Sequence, residues 1–122
     1  DVASARRALD ALGPGRILGV SCYGDLERAV AGAAAGADYV AFGAMFGSTT
    51  KPEAPCASPD LLIRARRELK PDVAVVAIGG ITLDNAGRLF KAGADLVAVV
   101  SDVFGADDPG TRAVAYRALL RE

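Results

Sequence analysis

The sequence predicts an α/β domain made of repeated strand–helix units. Three observations support this prediction: four short apolar blocks, helical segments with recognisable ends around them, and one motif that occurs twice. The apolar blocks are continuous rather than alternating, as is typical of parallel strands covered on both faces. The motif AGADYVA at residues 35–41 returns as AGADLVA at residues 92–98. Each copy would end a helix, turn and enter a strand, which repeated βα units require.

The apolar blocks mark the predicted strands. With the sequences RILGV, YVAFG, VAVVAI and LVAVV, they occupy residues 16–20, 39–43, 73–78 and 96–100. Each block has the length of a strand, and a helical segment separates it from the next. Only 6% of the residues are aromatic, which suits thin helices packed closely on a sheet. The four strands are therefore expected to form one parallel sheet.

Five helices are predicted from the signals at their ends. Ser58, Thr82 and either Asp107 or Asp108 stand where a side chain would cap the first turn of a helix. Glycines such as Gly93 stand where a helix would end in a left-handed residue. The predicted helices occupy residues 2–12, 25–35, 59–69, 83–92 and 109–122.

Four strand–helix units are half the number in a (β/α)8 barrel of the TIM type. Such a barrel normally takes about 250 residues, whereas this chain has 122. We expect residues 1–122 to form a single domain, a helix followed by four βα units, which is about half of such a barrel. Side chains facing the barrel interior would then lack opposite walls, and two sheet edges would lack partners. Completion by a missing N-terminal half or by a second copy in a homo-oligomer is therefore expected.

Composition excludes several classes of partner. The 14 lysines and arginines balance 15 acidic residues, which gives no reason to expect a nucleic acid or an anionic membrane as partner. No apolar run reaches the length of a membrane span, and no cleavable leader is recognised. Cys22 and Cys56 form no CxxC pattern, so two free thiols in a cytoplasmic protein are expected.

The loop after the second predicted strand is the first candidate site. Ligands of α/β folds bind beyond the carboxyl ends of the strands. A lysine and three hydroxyls in this loop can neutralise and hydrogen-bond a phosphate or pyrophosphate. A plain hydrated connection is the alternative. The residues concerned are Ser48, Thr49, Thr50 and Lys51.

The loops after the third and fourth predicted strands strengthen the phosphate hypothesis. Gly79 and Gly80 precede the Thr82 cap, where backbone amides can approach an anion at a helix N-terminus. A tight turn with no ligand would have the same sequence. Ser101 follows the fourth strand, and barrels often bind phosphate with the loops after their last two strands. If the four blocks are strands 5 to 8 of such a barrel, Gly80 and Ser101 follow its last two strands and lie at that phosphate site.

Ser21, Cys22 and Tyr23 follow the first predicted strand. A nucleophile of the Ser-His-acid kind is disfavoured within this segment, because the chain contains no histidine. Ser21 is expected to form a hydrogen bond with a ligand instead. Cys22 and Tyr23 either line the same site or pack in the fold.

Three segments resemble the thiamine phosphate synthase family: GVSCYGDLERA, GADYVAFGAMFGSTTKP and VAIGGITLDNAGRLFKAGADLVAVVSDVF. The resemblance covers nearly the whole chain, in the order of the C-terminal half of that family's barrel. It implies a transferase that joins 4-amino-2-methyl-5-hydroxymethylpyrimidine diphosphate to 4-methyl-5-hydroxyethylthiazole phosphate. The products would be thiamine phosphate and pyrophosphate, and the cofactor would be Mg²⁺.

The resemblance also implies roles for individual residues. Ser21 and Lys51 would contact the pyrimidine diphosphate and take part in catalysis, and Asp1 would coordinate magnesium. Ser48 stands where many family members have threonine, which keeps the hydroxyl. The thiazole phosphate would be held by Ser48, Thr49, Thr50, Gly80, Val100 and Ser101.

Three other functions remain as alternatives. A thiazole tautomerase-like relative would share the thiazole phosphate site but relies on a histidine, and this chain has none. A Schiff-base aldolase would need Lys51 as a nucleophile with a lowered pKa, whereas Lys51 is predicted to lie in a polar loop. The third alternative is a half-barrel fragment that self-associates and has no activity of its own.

Overall fold

The computed structural model describes residues 2–47 and 57–120. Four strands form one parallel sheet in the order β1-β2-β3-β4. The strands are β1 (Gly19–Tyr23), β2 (Tyr39–Phe42), β3 (Ala74–Ile78) and β4 (Leu96–Ala98). The helices in the described ranges are α1 (Val2–Leu12), α2 (Leu26–Ala34), α3 (Pro59–Glu68), α4 (Leu83–Ala92), α5 (Ser101–Phe104) and α6 (Pro109–Leu119). The predicted α/β fold with a parallel sheet is confirmed.

The order of the strands in the sheet follows their order in the chain. Every crossover therefore adds the next strand on the same side of the previous one, whereas a doubly wound sheet would reverse direction at a switch point. All carboxyl ends of the strands lie at one edge of the sheet, which we call the carboxyl rim. The loops that follow β1, β2, β3 and β4 begin at this rim.

The hydrophobic core lies on one face of the sheet. Val40, Phe42 and Val75 are fully buried there, against Leu62 of α3 and Leu89 of α4. The alternate strand positions point to the opposite face. In the described part of the chain this second face stays open, because Tyr39, Ile78 and Leu96 are 36%, 42% and 51% exposed.

The first strand differs from its prediction at residues 16–20. Its pairing with β2 begins at Gly19↔Tyr39 and continues through Ser21↔Ala41. The N–H of Leu18 donates to the Asp38 carboxylate at 2.8 Å, and Ile17 is 75% exposed. The apolar residues before Gly19 therefore precede the strand, and Ser21 lies within it rather than after it.

The last predicted strand, residues 96–100, is shorter than expected because α5 interrupts it. The strand ends at Ala98, and Val100 already has helical backbone angles at the start of α5. The sequence did not predict α5, since four residues are too few to show a helical period.

The predicted helix ends are largely confirmed. Asp108 caps α6 by accepting hydrogen bonds from the backbone and hydroxyl of Thr111. Ser58 occupies the N-cap of α3, but its side chain makes no capping hydrogen bond. Thr82 is the N-cap of α4, and its N–H donates to the Asn85 side chain at 2.8 Å. Gly93 ends α4 with a φ of 116°, as its position predicts.

The repeated AGAD motif places an aspartate in the same role twice. Asp38 accepts a hydrogen bond from the N–H of Leu18, and Asp95 accepts one from the N–H of Val75, both at 2.8 Å. Each aspartate thus fastens the turn before its own strand to the start of the neighbouring strand. Asp95 also pairs with Arg66 at 2.8 Å. These contacts lie at the amino ends of the strands, opposite the carboxyl rim.

Replacing Asp95 with alanine is expected to lower the free energy of unfolding by about 1–2 kcal/mol. The substitution leaves the Val75 N–H and the Arg66 guanidinium without this acceptor, and hydrogen bonds to charged groups contribute about 1.5–3 kcal/mol. We take the lower part of that range because the Asp95 side chain is 48% exposed. Urea unfolding measures the change. Asp10→Ala, at an exposed position of α1, should change stability by less than about 0.5 kcal/mol. Equal effects of the two substitutions would contradict the proposed role of Asp95.

No helix in residues 2–47 and 57–120 combines the length and the apolar character that crossing a membrane requires.

Candidate functional site

The structure describes four of the nine residues singled out for a site. Ser21, Gly80, Val100 and Ser101 belong to the described part of the chain and lie at or next to the carboxyl rim. The other five lie outside the described residues, so their predicted contacts stay predictions. They are Asp1, Ser48, Thr49, Thr50 and Lys51.

The loops after β2 and β3 contact each other through their backbones. The N–H of Met45 donates to the carbonyl of Ile78 at 3.0 Å, and the N–H of Phe46 donates to the carbonyl of Gly79 at 3.1 Å. Residues 44–47 therefore run beside Gly79 and Gly80. Residue 47 is the last described residue of this loop, and the hydroxyl-rich segment that follows it in the sequence lies outside the described residues.

Gly79 and Gly80 are required by this close approach. Their φ angles are 106° and 61°, in the region that favours glycine. A Cβ on Gly79 would lie 2.6 Å from the Cβ of Ala44, and one on Gly80 would lie 2.5 Å from the carbonyl oxygen of Gly47. Contact between the two loops is thus sufficient to explain both glycines. The predicted anion contact at Gly80 would use the same exposed backbone and stays a prediction.

The first amides of α4 already have acceptors within the protein. The Asn85 side chain accepts from Thr82 at 2.8 Å, and the Asp102 side chain accepts from the N–H of Leu83 at 3.2 Å. The Asn85 amide in turn donates to the carbonyl of Gly80 at 3.1 Å. The anion contact predicted at this helix N-terminus therefore depends on the glycine backbone, not on the amides of Thr82 and Leu83.

Val100 and Ser101 follow β4 at the same rim. Val100 is 67% exposed, and Ser101 is exposed as the first residue of α5. The next residue, Asp102, hydrogen-bonds the first residue of α4. This contact ties the loop after β4 to the loop after β3, so the structure joins the segments that carry Gly80 and Ser101.

The β1 end of the rim presents Ser21 and Tyr23. Ser21 is exposed and, from its register with Ala41, lies on the open face of the sheet. Tyr23 is half exposed with a φ of 53°, which is uncommon for a residue with a side chain. The guanidinium of Arg28 lies 5.6 Å from the centre of its ring. Both side chains are available to a ligand at this end.

Cys22 packs in the core. It is fully buried, and burial raises the pKa of its thiol to about 11. The thiol donates to the carbonyl of Val20 at 3.4 Å. Of the two uses left open by the sequence, the structure supports packing for Cys22.

Sequence reasoning missed a network around Asp102. Its carboxylate accepts from Leu83, from the hydroxyl of Tyr116 at 2.5 Å and from Arg112 at 3.4 Å. Burial, followed by the hydrogen bond to Asp102, raises the pKa of Tyr116 well above its usual value. Tyr116 therefore stays a neutral donor. The partners of Asp102 are 10 to 19 residues away in the chain, and no local pattern marks them.

The predicted magnesium ligand cannot be placed among the described residues. In residues 2–47 and 57–120, no three side chains of histidine, cysteine, aspartate or glutamate come together as metal ligands. The predicted ligand, Asp1, lies outside those ranges.

Cavities of about 520 and 330 Å³ lie along α4 and α6, away from Gly80 and Ser101. Phe90 and Leu120 are among the residues that line both. The carboxyl rim is the stronger candidate site, because the polar groups and joined loops lie there and ligands of parallel α/β folds bind at that edge.

Comparisons with known proteins show which family this chain resembles. The family model described as thiamine monophosphate synthase matches residues 1–103. The thiamine-phosphate synthase of Aromatoleum aromaticum is 66% identical over 98% of this chain and 55% of that protein. The enzyme of the same name from Azoarcus sp. is 60% identical over 98% of this chain and 57% of that protein. The chain thus spans about half the length of these relatives.

Solved structures show the same fold. A thiamine phosphate pyrophosphorylase from Pyrococcus furiosus superposes with a TM-score of 0.83 at 33% identity, over 96% of this chain and 54% of that one. A 3-hexulose-6-phosphate synthase from Salmonella typhimurium superposes with a TM-score of 0.71 at 26% identity, over 99% and 57% of the two chains. From the family match and the curated relatives together, the chain belongs to the thiamine monophosphate synthase family.

Proposed function

We propose that this chain forms part of a thiamine phosphate synthase, a transferase that couples the pyrimidine diphosphate to the thiazole phosphate in thiamine biosynthesis. The observation that carries the proposal is the joining of the loops after β2, β3 and β4 at one rim, through Met45, Phe46 and Asp102. The identity to curated synthases supports the choice of reaction. Both proposed substrates carry phosphate groups, which suit a rim built from exposed backbone and hydroxyls.

The reaction places one main demand on the protein. The bond between the pyrimidine methylene carbon and the diphosphate oxygen breaks, and its electron pair leaves with pyrophosphate. The amino group of the pyrimidine stabilises the cation that develops, and the thiazole nitrogen then forms the new C–N bond. The protein must therefore stabilise the negative charge on the leaving group and hold the nucleophile close to the carbon.

The predicted residues meet this demand in two groups. Lys51 would stabilise the departing charge, while Ser21 would hydrogen-bond the pyrimidine diphosphate from the β1 end of the rim. The thiazole phosphate would be held at the other end by Gly80, Val100 and Ser101, together with Ser48, Thr49 and Thr50. Mg²⁺, if held by Asp1 and the diphosphate oxygens, would add positive charge at the leaving group.

We further propose that β1 to β4 correspond to strands 5 to 8 of a (β/α)8 barrel. Three observations support this: the strands follow chain order, one sheet face is open, and the chain spans 55% of a curated relative. Four further strand–helix units, from the same polypeptide or from a second copy, would close the open face. The buried free thiol of Cys22 fits the proposed cytoplasmic location.

A hybrid enzyme tests the reaction. Residues 1–120 of this chain replace the matching segment of the Aromatoleum aromaticum relative, and the purified hybrid receives both substrates and Mg²⁺. We expect thiamine phosphate and pyrophosphate in equal amounts. The kcat should lie within about tenfold of that of the parent enzyme, which corresponds to a change of about 1.4 kcal/mol in the activation barrier. A folded hybrid that only isomerises the thiazole phosphate, or forms no product, would contradict the proposal.

The 122-residue chain by itself tests the half-barrel arrangement. Its mass in solution and its turnover are measured in parallel with the hybrid. An inactive monomer or a self-associated chain agrees with a barrel that needs further units. An active monomer would overturn the proposed correspondence to strands 5 to 8.

A further inference from the structure

We infer that Asp102 is a positioning residue that sets the spacing between Gly80 and Ser101 and thereby the fit of the substrate's phosphate monoester group. This inference rests on the proposed function, because it concerns how the thiazole phosphate is held at the carboxyl rim. Asp102 itself need not touch the substrate.

Asp102 connects the two loops that the proposed phosphate site uses. It follows Ser101 directly in the chain, and its Oδ2 accepts from the N–H of Leu83 at 3.2 Å. Leu83 is the first residue of α4, three positions after Gly80. A shift of Asp102 would therefore move Ser101 relative to the turn that carries Gly80.

Helix α5 packs against the hydrophobic core through Val103, which is only partly buried, and Asp102 supplies its polar contacts. Its four residues include no buried one, and Phe104 is 74% exposed. A helix this short has few internal hydrogen bonds to hold it. The Asp102 carboxylate therefore helps to fix the orientation of α5, together with the packing of Val103.

Helix α6 holds Asp102 from the other side. The Tyr116 hydroxyl donates to the same Oδ2 at 2.5 Å, and Arg112 approaches Oδ1 at 3.4 Å. Tyr116 is 8% exposed and also reaches the carbonyl of Ile81 at 3.5 Å. The raised pKa of Tyr116 keeps its proton on the oxygen, so it donates throughout the neutral pH range. Three donors from two helices thus constrain one carboxylate.

The expected result of losing this constraint is selective. In the active hybrid, Asp102→Ala should raise the KM for thiazole phosphate about 10- to 100-fold, because displacing a bound group by about 1 Å has effects of up to 10². The KM for the pyrimidine diphosphate should change little. The dephosphorylated thiazole alcohol should react as poorly as it does with the unsubstituted hybrid, since it has no phosphate to misplace.

Two further variants separate positioning from folding. Asp102→Asn keeps an acceptor for Leu83 and should recover part of the lost affinity. Tyr116→Phe keeps the Leu83 contact and removes one donor, so its KM for thiazole phosphate should lie between those of the unsubstituted hybrid and Asp102→Ala. If Asp102→Ala fails to fold, these two variants still report on the phosphate substrate, and unchanged KM values in both would overturn the inference.

The outcomes distinguish this inference from the proposed function. If the unsubstituted hybrid forms thiamine phosphate but Asp102→Ala loses thermal stability without a change in any KM, the positioning role is wrong and the function stands. Equal increases in KM for the phosphorylated thiazole and its alcohol would also overturn the role. If the unsubstituted hybrid forms no product, the function fails and the positioning role fails with it.

Discussion

Replacing Lys51 with alanine in the active hybrid is expected to lower kcat for thiamine phosphate formation about 10²- to 10³-fold, the effect of removing one preorganised electrostatic group from a transition state. The positive charge matters most while the bond to pyrophosphate breaks, because negative charge grows on the leaving group at that point. Removing a group that acts only on the transition state lowers kcat and kcat/KM together. Steady-state kinetics with pyrophosphate release as readout measure both constants.

The control for Lys51 is Lys91→Ala. Lys91 lies in the last turn of α4, at the end of the helix away from the rim, and is exposed. Removing its charge changes the overall charge by the same amount without touching the proposed site, so kcat should stay unchanged. Lys51→Arg keeps the charge with a different shape and should retain more activity than Lys51→Ala. A Lys51→Ala hybrid with the kcat of the Lys91→Ala control would refute the role of Lys51.

Replacing Gly79 with alanine is expected to reduce the free energy of unfolding by about 2–5 kcal/mol. Two effects add: the added Cβ would lie 2.6 Å from the Cβ and 2.7 Å from the Cα of Ala44, and the φ of 106° is unfavourable for alanine. Overpacking costs about 1–3 kcal/mol, and backbone strain of this kind costs about 1–3 kcal/mol. Because domains are stable by about 5–15 kcal/mol, such a loss is a large share of the total.

Gly87→Ala is the matched control for Gly79→Ala. Gly87 lies within α4, and an added Cβ would meet nothing within 4 Å. Alanine there should stabilise the protein by about 0.5–1 kcal/mol, since glycine is a poor helix former. Urea unfolding followed by circular dichroism compares the two variants. Gly79→Ala with the stability of the unsubstituted protein would mean that the loops at the rim can separate without loss.

Local sequence patterns predicted most of the scaffold. The continuous apolar blocks predicted β2 and β3 closely. These two strands are central in the sheet, where a strand has a neighbour on each side and most of its residues are apolar. The ends of α4 and α6 followed from Thr82, Gly93 and Asp108, because capping depends on residues within one turn. Such features need no knowledge of distant contacts.

The errors came where distant residues decide the local structure. The start of β1 depends on Asp38, which is 20 residues away in the chain and whose carboxylate accepts a hydrogen bond from the N–H of Leu18. The apolar Ile17 therefore gave a misleading signal. Similarly, α5 has no period of its own, and its place depends on the contact of Asp102 with Leu83.

For the candidate site, the sequence predicted the location but not the contacts that hold its loops together. The position of polar residues after the strands indicated the carboxyl rim, because parallel strands share that edge. The pairing of residues 44–47 with Gly79 and Gly80, and the support from Arg112 and Tyr116, could not be read from spacing. The contacts of Lys51 and the adjacent hydroxyls lie outside the described residues and stay predictions.

The aspartates of the AGAD motif stabilise the end of the sheet opposite the one proposed for catalysis. Asp38 and Asp95 secure the amino ends of the strands, while the proposed chemistry uses the other end. Engineered thermostability could therefore be concentrated around these two turns with little penalty in turnover. Stability and catalysis can therefore evolve separately, at opposite ends of the same strands.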